Sequence, residues 1–247
     1  MLNKFKKALY IVLPIIFWLI VWEIAALLVN RSYFLPTVEK TFSALFNILS
    51  SITFYKVVLF TILRVIAGLT IGILFAILFA ALACKFKAAR AIISPMISVM
   101  KSTPVATLII LLWLFVSGND LPILISVLMV MPIVWQNLVD GYETIDKNLV
   151  EVCAVFEFSF LKRLKYLIFP SLLKYFIPSL ITAVGLAWKS EIAAEIIAYT
   201  KNSIGQYIND ANYMYDSASV FAWTLVIIVL SISLEFLTKR LLRRFKV

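Results

Sequence analysis

Long apolar runs alternate with short charged ones along this chain, and the runs have membrane-crossing length. A helix needs about 20 mostly apolar residues to cross a hydrocarbon core of ~30 Å at 1.5 Å per residue. Six stretches meet that requirement: residues 9–29, 54–84, 92–116, 121–139, 175–197 and 218–237. The second is long enough to tilt or protrude. No strands are expected, because a membrane barrel shows short alternating segments and these runs are continuous. The expected fold is therefore all-α and polytopic, with six transmembrane helices and both termini on one side. The first run is longer than a typical signal-peptide core and no A-x-A site follows it, so it reads as a retained span.

The polar residues between the runs give the orientation. Lys4, Lys6 and Lys7 precede the first span. Lys85, Lys87 and Arg90 follow the second. Lys147, Lys162, Arg163, Lys165 and Lys174 lie between the fourth and fifth, and Lys239, Arg240, Arg243, Arg244 and Lys246 close the chain. The opposite side carries only Arg31, Lys40, Lys56 and Lys201. By the positive-inside rule the termini and the long fourth-to-fifth loop are cytoplasmic. The same bias accounts for the net charge of +10 without a nucleic-acid-binding face.

Two loops carry patterns of their own. After the first span, Thr37 is placed to cap a short helix with Val38, Thr41, Phe42, Leu45, Ile48 and Leu49 on one face, lying on the membrane surface. The loop 142–170 is too long for a plain connector. Asp146 is placed to cap a first helix there. A second helix has Phe160, Leu161, Leu164, Leu167 and Ile168 on one face and Ser159, Lys162, Arg163 and Lys165 on the other. The two join near Glu157-Phe158-Ser159, and Pro170 is expected to stop the second. The chain thus divides into an N-terminal span with an outer amphipathic segment (1–53), a core of five spans (54–240) and a basic cytoplasmic tail (241–247).

Composition narrows the function. Of 247 residues, 63% are hydrophobic and 15% charged, with a mean hydropathy of +1.02. A soluble fold of this size cannot cover that much apolar surface. There is no histidine, so His-based catalysis, His metal sites and His proton relays are unavailable. Cys84 and Cys153 form no CxxC, and both are placed on the reducing side, so neither a metal site nor a disulfide is expected. The six glycines build no phosphate-binding loop. No catalytic residue and no bound cofactor is expected, so any energy-driven work draws on a partner.

The loop 142–170 also carries a spacing that resembles a known family. Glu151-Val152-Cys153, three residues, Glu157, nine residues, and Leu167-Ile168-Phe169-Pro170 follow the cytoplasmic-loop signature of permease subunits of binding-protein-dependent ABC importers. The signature reads Glu-Ala-Ala, then Gly, then Ile-x-Leu-Pro; here Glu157 stands at the glycine position. Phe34-Leu35-Pro36, Leu63-Arg64-Val65-x-x-Gly68, Ser94-Pro95, Thr103-Pro104-Val105-Ala106, Trp188-Lys189-x-Glu191-x-Ala193-Ala194-Glu195 and Ile204-Gly205 resemble the nitrate/sulfonate/taurine branch in collinear order. The resemblance implies a type I importer permease in the cell membrane, working as two copies or as one copy with a homologue. It further implies partner ATPase subunits that bind ATP and Mg, and an external solute-binding protein that delivers a small solute. The residues implied to couple to the ATPase are Glu151, Cys153, Phe156, Glu157, Phe158, Ser159, Leu167 and Pro170.

Charges inside the spans form the second set of candidates. An ionisable group at the bilayer centre costs about 2.5–3.5 kcal/mol on insertion scales, so it faces protein or water. Arg64 lies in the second span, Lys101 and Pro104 in the third, and Trp188, Lys189, Glu191 and Glu195 in the fifth. These residues either line the pathway as a gate or pair structurally, Arg64 or Lys101 with a glutamate of another helix. Glu23, near the outer end of the first span, is expected to snorkel. Gly68-x-x-x-Gly72 reads as helix packing. Pro95, Pro104, Pro132 and Pro178 are expected to bend spans. The competing readings are a carrier driven by an ion gradient and the membrane component of an energy-coupling-type vitamin importer. The first more often shows internal repeats; the second, by resemblance, carries Ala-Arg-Gly-type motifs.

Overall fold

The structure, a computed structural model, describes residues 2–243, with side chains for Tyr10 and from Val12 onward. The side chains of Lys4, Lys6 and Lys7, and the end of the basic tail with Arg244 and Lys246, lie outside the described residues. The elements are all helical: α1 (Leu2–Val29), α2 (Val38–Ser50), α3 (Ile52–Lys85), α4 (Lys87–Ser102), α5 (Val105–Trp113), α6 (Leu121–Glu143), α7 (Lys147–Val155), α8 (Phe160–Arg163), a π-turn (Leu164–Ile168), α9 (Phe169–Ile197), α10 (Ile204–Tyr213) and α11 (Ser217–Leu242). Five helices are long and apolar enough to cross a membrane, and a sixth crossing is present if the bent pair α4–α5 is one span.

Helix α6 is the centre, packed between α3 and α9. Two-thirds of its most apolar window (67%) is buried, against 6% for α1, so α6 meets protein and α1 is left to meet lipid. Glycines set the α3–α6 approach. A Cβ on Gly68 would sit 2.4 Å from Ser126 Cβ, and one on Gly72 would sit 3.0 Å from Val130 Cβ. The expected small-residue pair extends into a buried stripe with Ala76, Ala80 and Ala83, which lets the backbones close up where lipid gives no hydrophobic drive.

The outer amphipathic helix and the first loop helix both form, with their predicted caps. Thr37 accepts a hydrogen bond from the Lys40 amide (3.4 Å), and Asp146 accepts one from the Asn148 amide (2.8 Å). Helix α2, however, packs against α11 as well as α3 and α1. Glu23 does more than snorkel: its carboxylate accepts the Val38 amide hydrogen at 2.8 Å, at the first turn of α2. Trp22 Nε1 donates to the Pro36 carbonyl at 3.0 Å.

The expected bend at Pro104 is present and is sharp, whereas the stop expected at Pro170 is corrected. The third run is not one continuous helix: α4 and α5 meet at 104°. Thr103, preceding a proline, is extended (ψ 128°), and Pro104 (ψ 135°) sits outside both helices as the N-cap of α5. Pro170 does not stop the second loop helix; helical backbone runs unbroken from Phe160 to Ile197. The Phe169 amide reaches back five residues to the Leu164 carbonyl, so the ladder is already widened where proline withholds its donor, and Pro170 falls in the first turn of α9.

Helix α10, in the loop after α9, was not foreseen. Its signal is Ser203-x-x-Gln206: the Ser203 hydroxyl accepts the Gln206 amide at 3.0 Å, and Gln206 Oε1 accepts the Asn202 amide at 2.7 Å.

The glycine stripe yields a test. Gly68→Ala should destabilise the protein by about 1–3 kcal/mol, the usual cost of overpacking a tight contact. Gly68→Leu should fail to accumulate, while Thr70→Leu, on the exposed side of α3, should melt like the parent. Thermal unfolding in detergent reads all three.

Candidate functional site

Helix α9 turns a strip of polar residues inward. Glu195, with no exposed surface, accepts three hydrogen bonds. The Thr61 hydroxyl donates at 2.8 Å, Arg64 Nη1 at 3.3 Å, and the Gly205 amide, in the first turn of α10, at 3.2 Å. Arg64 also donates to the carbonyls of Lys201 (3.0 Å) and Asn202 (3.4 Å), and Thr61 Oγ1 accepts the Ile204 amide at 3.2 Å. One carboxylate thus ties together α3, α9, α10 and the turn between the last two. Gly205 is required for this approach, because a Cβ there would fall 2.5 Å from the Glu195 backbone.

One turn earlier, Glu191 is equally buried. Its Oε2 accepts from the Ser126 hydroxyl of α6 at 2.7 Å, while its Oε1 has no partner. Trp188 is 1% exposed, and its Nε1–H has no acceptor. Trp188, Glu191 and Glu195 therefore belong to the protein interior, and Arg64, with 16% of its side chain exposed, reaches in from its edge. Lys189 points the other way and is exposed, as are Lys101 and Pro104 on the bent α4–α5 pair. Among the described residues neither lysine makes an ion pair. The residues grouped as a possible gate thus divide into a buried latch and an exposed set.

The loop between α6 and α9 is built differently. Helix α7 ends on a left-handed residue: Glu157 has φ 49°. The Phe158 amide bonds back to the Cys153 carbonyl (2.9 Å) and the Glu157 amide to Ala154 (3.0 Å), the paired bonds of a Schellman cap. The family's glycine position is therefore a left-handed turn here too, occupied by a residue for which it is strained. Tyr199 (φ 51°) and Tyr215 (φ 56°) close α9 and α10 in the same way.

That cap leaves apolar side chains in the open. Val155, Phe156, Phe160 and Leu161 are each 71–78% exposed, and Phe158 is 37% exposed. Glu151 and Ser159 are also exposed, whereas Cys153 and Leu167 are buried and Pro170 is half-buried. The loop thus presents an apolar ledge held by a buried cysteine on one side and Leu167 of the π-turn on the other. On the same side of the fold Arg90, at the start of α4, forms an ion pair with Glu143 at the end of α6.

Apolar spans around a central α6, with a structured loop that leaves an apolar ledge exposed, define a helical membrane protein. Residues 68–247 match the family of binding-protein-dependent transport system inner membrane components. The chain belongs to that family and is the inner-membrane permease component of an ABC transporter. The match begins within α3, so α1 and α2 precede it. Among solved structures, the fold is similar to a crystal structure of an amino acid ABC transporter with histidines, at a TM-score of 0.64 and 16% identity over 78% of this chain and 93% of that one. Comparison with curated proteins finds no match.

Two tests follow from this geometry. Breaking a buried ion pair from one side costs about 3–5 kcal/mol, so Glu195→Ala and Arg64→Ala should each lower stability by that order. The double variant should be less than additive, with a coupling of about 1–3 kcal/mol in unfolding measurements. At the α7 cap, Glu157→Gly should stabilise the protein by about 1 kcal/mol, read as a raised Tm, because glycine takes up a left-handed backbone without the Cβ penalty.

Proposed function

We propose that this permease forms, with a second copy of itself, the transmembrane pathway of an ATP-driven importer, and that residues 149–170 are its mechanical input. The observation that carries this reading is the ledge of Val155, Phe156, Phe160 and Leu161, more than 70% exposed beside the charged residues Lys162 and Arg163. A contiguous apolar patch of this kind, rimmed by polar residues, marks a protein-binding surface. Partner ATPase subunits, which bind ATP and Mg, grip the ledge from the cytoplasm. Their closure moves α7 and α8 as a body, and α9 follows because the helix is continuous. Glu151 makes a polar contact on the same surface, while Cys153, Glu157, Ser159, Leu167 and Pro170 hold its shape.

The lysine asymmetry places both termini and this loop inside. The outer side, with α2 and α10, receives the solute-binding protein that brings a small solute. Lys101, Pro104 and Lys189 face the pathway: they are exposed on the single chain, and a lysine without a counter-ion inside a span needs water or protein opposite it. Arg64, Trp188, Glu191 and Glu195 act as structural support for that wall. Residues 1–53 are an N-terminal addition to the core, and the branch is the nitrate/sulfonate/taurine one. Family membership favours this reading over an ion-gradient carrier or an energy-coupling-type component.

Co-expression with the cognate ATPase tests the input surface. Changing Glu151 and Phe158 together to alanine should reduce the recovered ATPase at least about tenfold, as loss of an interface anchor does, while the permease itself accumulates normally. Undiminished recovery, or location of the loop outside the cell by cysteine labelling, would overturn the assignment. Lys189→Ala should lower uptake with the complex intact.

A further inference from the structure

An open crevice of about 500 Å³ lies where α3, α6 and the α8–α9 segment meet at the cytoplasmic end. Its walls include Ala81, Cys84, Lys85, Tyr142, Leu164 and Ile168. The volume is that of a small-molecule site, yet the lining is almost wholly aliphatic and aromatic, and Lys85 is its one charge. Lys85 stands at the last turn of α3, and the lining runs back along α3 to Ile77, about 12 Å deeper at 1.5 Å per residue. Polarity therefore falls along the crevice from the membrane surface inward, as it does along a lipid.

Lys85 puts one positive charge in the lining, and Lys87 follows it at the start of α4, while Arg90 is already paired with Glu143. The Arg163 Nε–H is buried without an acceptor. The Lys85 and Lys165 amines lie 5.2 Å and 5.4 Å from the Phe86 and Tyr166 rings, an interfacial arrangement of cation and aromatic.

We propose that an anionic phospholipid of the cytoplasmic leaflet binds here, with its phosphate at Lys85 and one acyl chain in the crevice. Basic pockets between transmembrane helices on the cytoplasmic side have the chemistry that takes such headgroups. Leu164 and Ile168 of the wall are also the ends of the π-turn, so the bound chain packs against the joint that connects α8 to α9. The site thus sets how stiffly the coupling loop drives α9. It rests on the membrane placement of the chain and not on ATPase docking, and its test needs no ATPase.

Native mass spectrometry of the purified full-length permease with equal phosphatidylglycerol and phosphatidylcholine reads the binding directly. Phosphatidylglycerol should be retained about fivefold over phosphatidylcholine, the worth of one interfacial lysine against an anionic headgroup. Lys85→Glu should abolish that preference, and Lys85→Arg should keep it. Ala81→Trp should reduce retention of both lipids by filling the crevice; if it fails to fold, Lys85→Glu and Lys85→Arg decide. Cys84 provides a second readout: peptide mapping should show slower maleimide modification in phosphatidylglycerol nanodiscs than in phosphatidylcholine nanodiscs. Equal retention of both lipids, a preference untouched by Lys85→Glu, or copies cross-linked through Cys84 would overturn the proposal.

Discussion

A carboxylate without solvent exposure holds one end of this molecule together. Removing an ion such as Glu195 from water costs several kcal/mol after relaxation, and the cost is offset only where geometry and hydrogen bonds are good. Here a hydroxyl, a guanidinium and a backbone amide converge on the one side chain, and they come from α3 and from the start of α10. Two of the three donors are themselves engaged elsewhere: Thr61 with Ile204, and Arg64 with the carbonyls of Lys201 and Asn202. Removing any one member exposes the others to the same penalty, so the network acts as a unit. The turn between α9 and α10, which carries no apolar stripe long enough to anchor itself, is held in place by this network.

Below the latch, packing takes over from polar contacts. The stripe of Gly68, Gly72, Ala76, Ala80 and Ala83 brings α3 against α6, and the two clusters of buried side chains both draw on α6 and α9. Lipid is as apolar as leucine, so the specificity of this association lies in close contact and not in burial of grease. The exposed apolar residues of α1, α3 and α11 are the complement of that arrangement, since they meet little else of this chain.

The apolar spans were legible because length and hydropathy alone define them, five outright and a sixth if α4–α5 is one span, and α2 and α7 were legible from their caps, Thr37 and Asp146. The centrality of α6 was not legible, since all six runs are similarly apolar and hydropathy does not rank them by burial. Nor was the depth of the break at Thr103-Pro104: a proline within a span is compatible with a gentle kink or a full turn, and neighbouring helices decide which. The continuity through Pro170 depends on a π-turn, which has no residue signature. The Arg64–Glu195 pair shows the same limit in the site. Both residues were visible as costly charges in apolar runs, but they lie 131 positions apart, and the alternative of Lys101 as partner was equally good on chemistry. Glu157 was seen as a departure from glycine, and the backbone shows that the turn was kept at the cost of strain.

The same continuity joins the two ends of the molecule. From Phe160 to Ile197 the backbone is helical without interruption, 38 residues and thus about 57 Å at 1.5 Å per residue. One end of this rod carries the exposed ledge of α8, and the other carries Glu195 and, through it, α10 and the turn before it. A displacement of α8 as a rigid body therefore reaches the latch without any chain of side-chain rearrangements, because the hydrogen-bond ladder itself transmits it. The ladder is irregular near the ledge at the π-turn Leu164–Ile168, and it lacks a donor at Pro170 and Pro178. A widened turn has weaker bonding than the α-helix on either side and a proline removes a ladder bond, so compliance is concentrated in the half of the rod nearer the ledge. A motion applied at the ledge is then either transmitted or absorbed according to how firmly that half is packed.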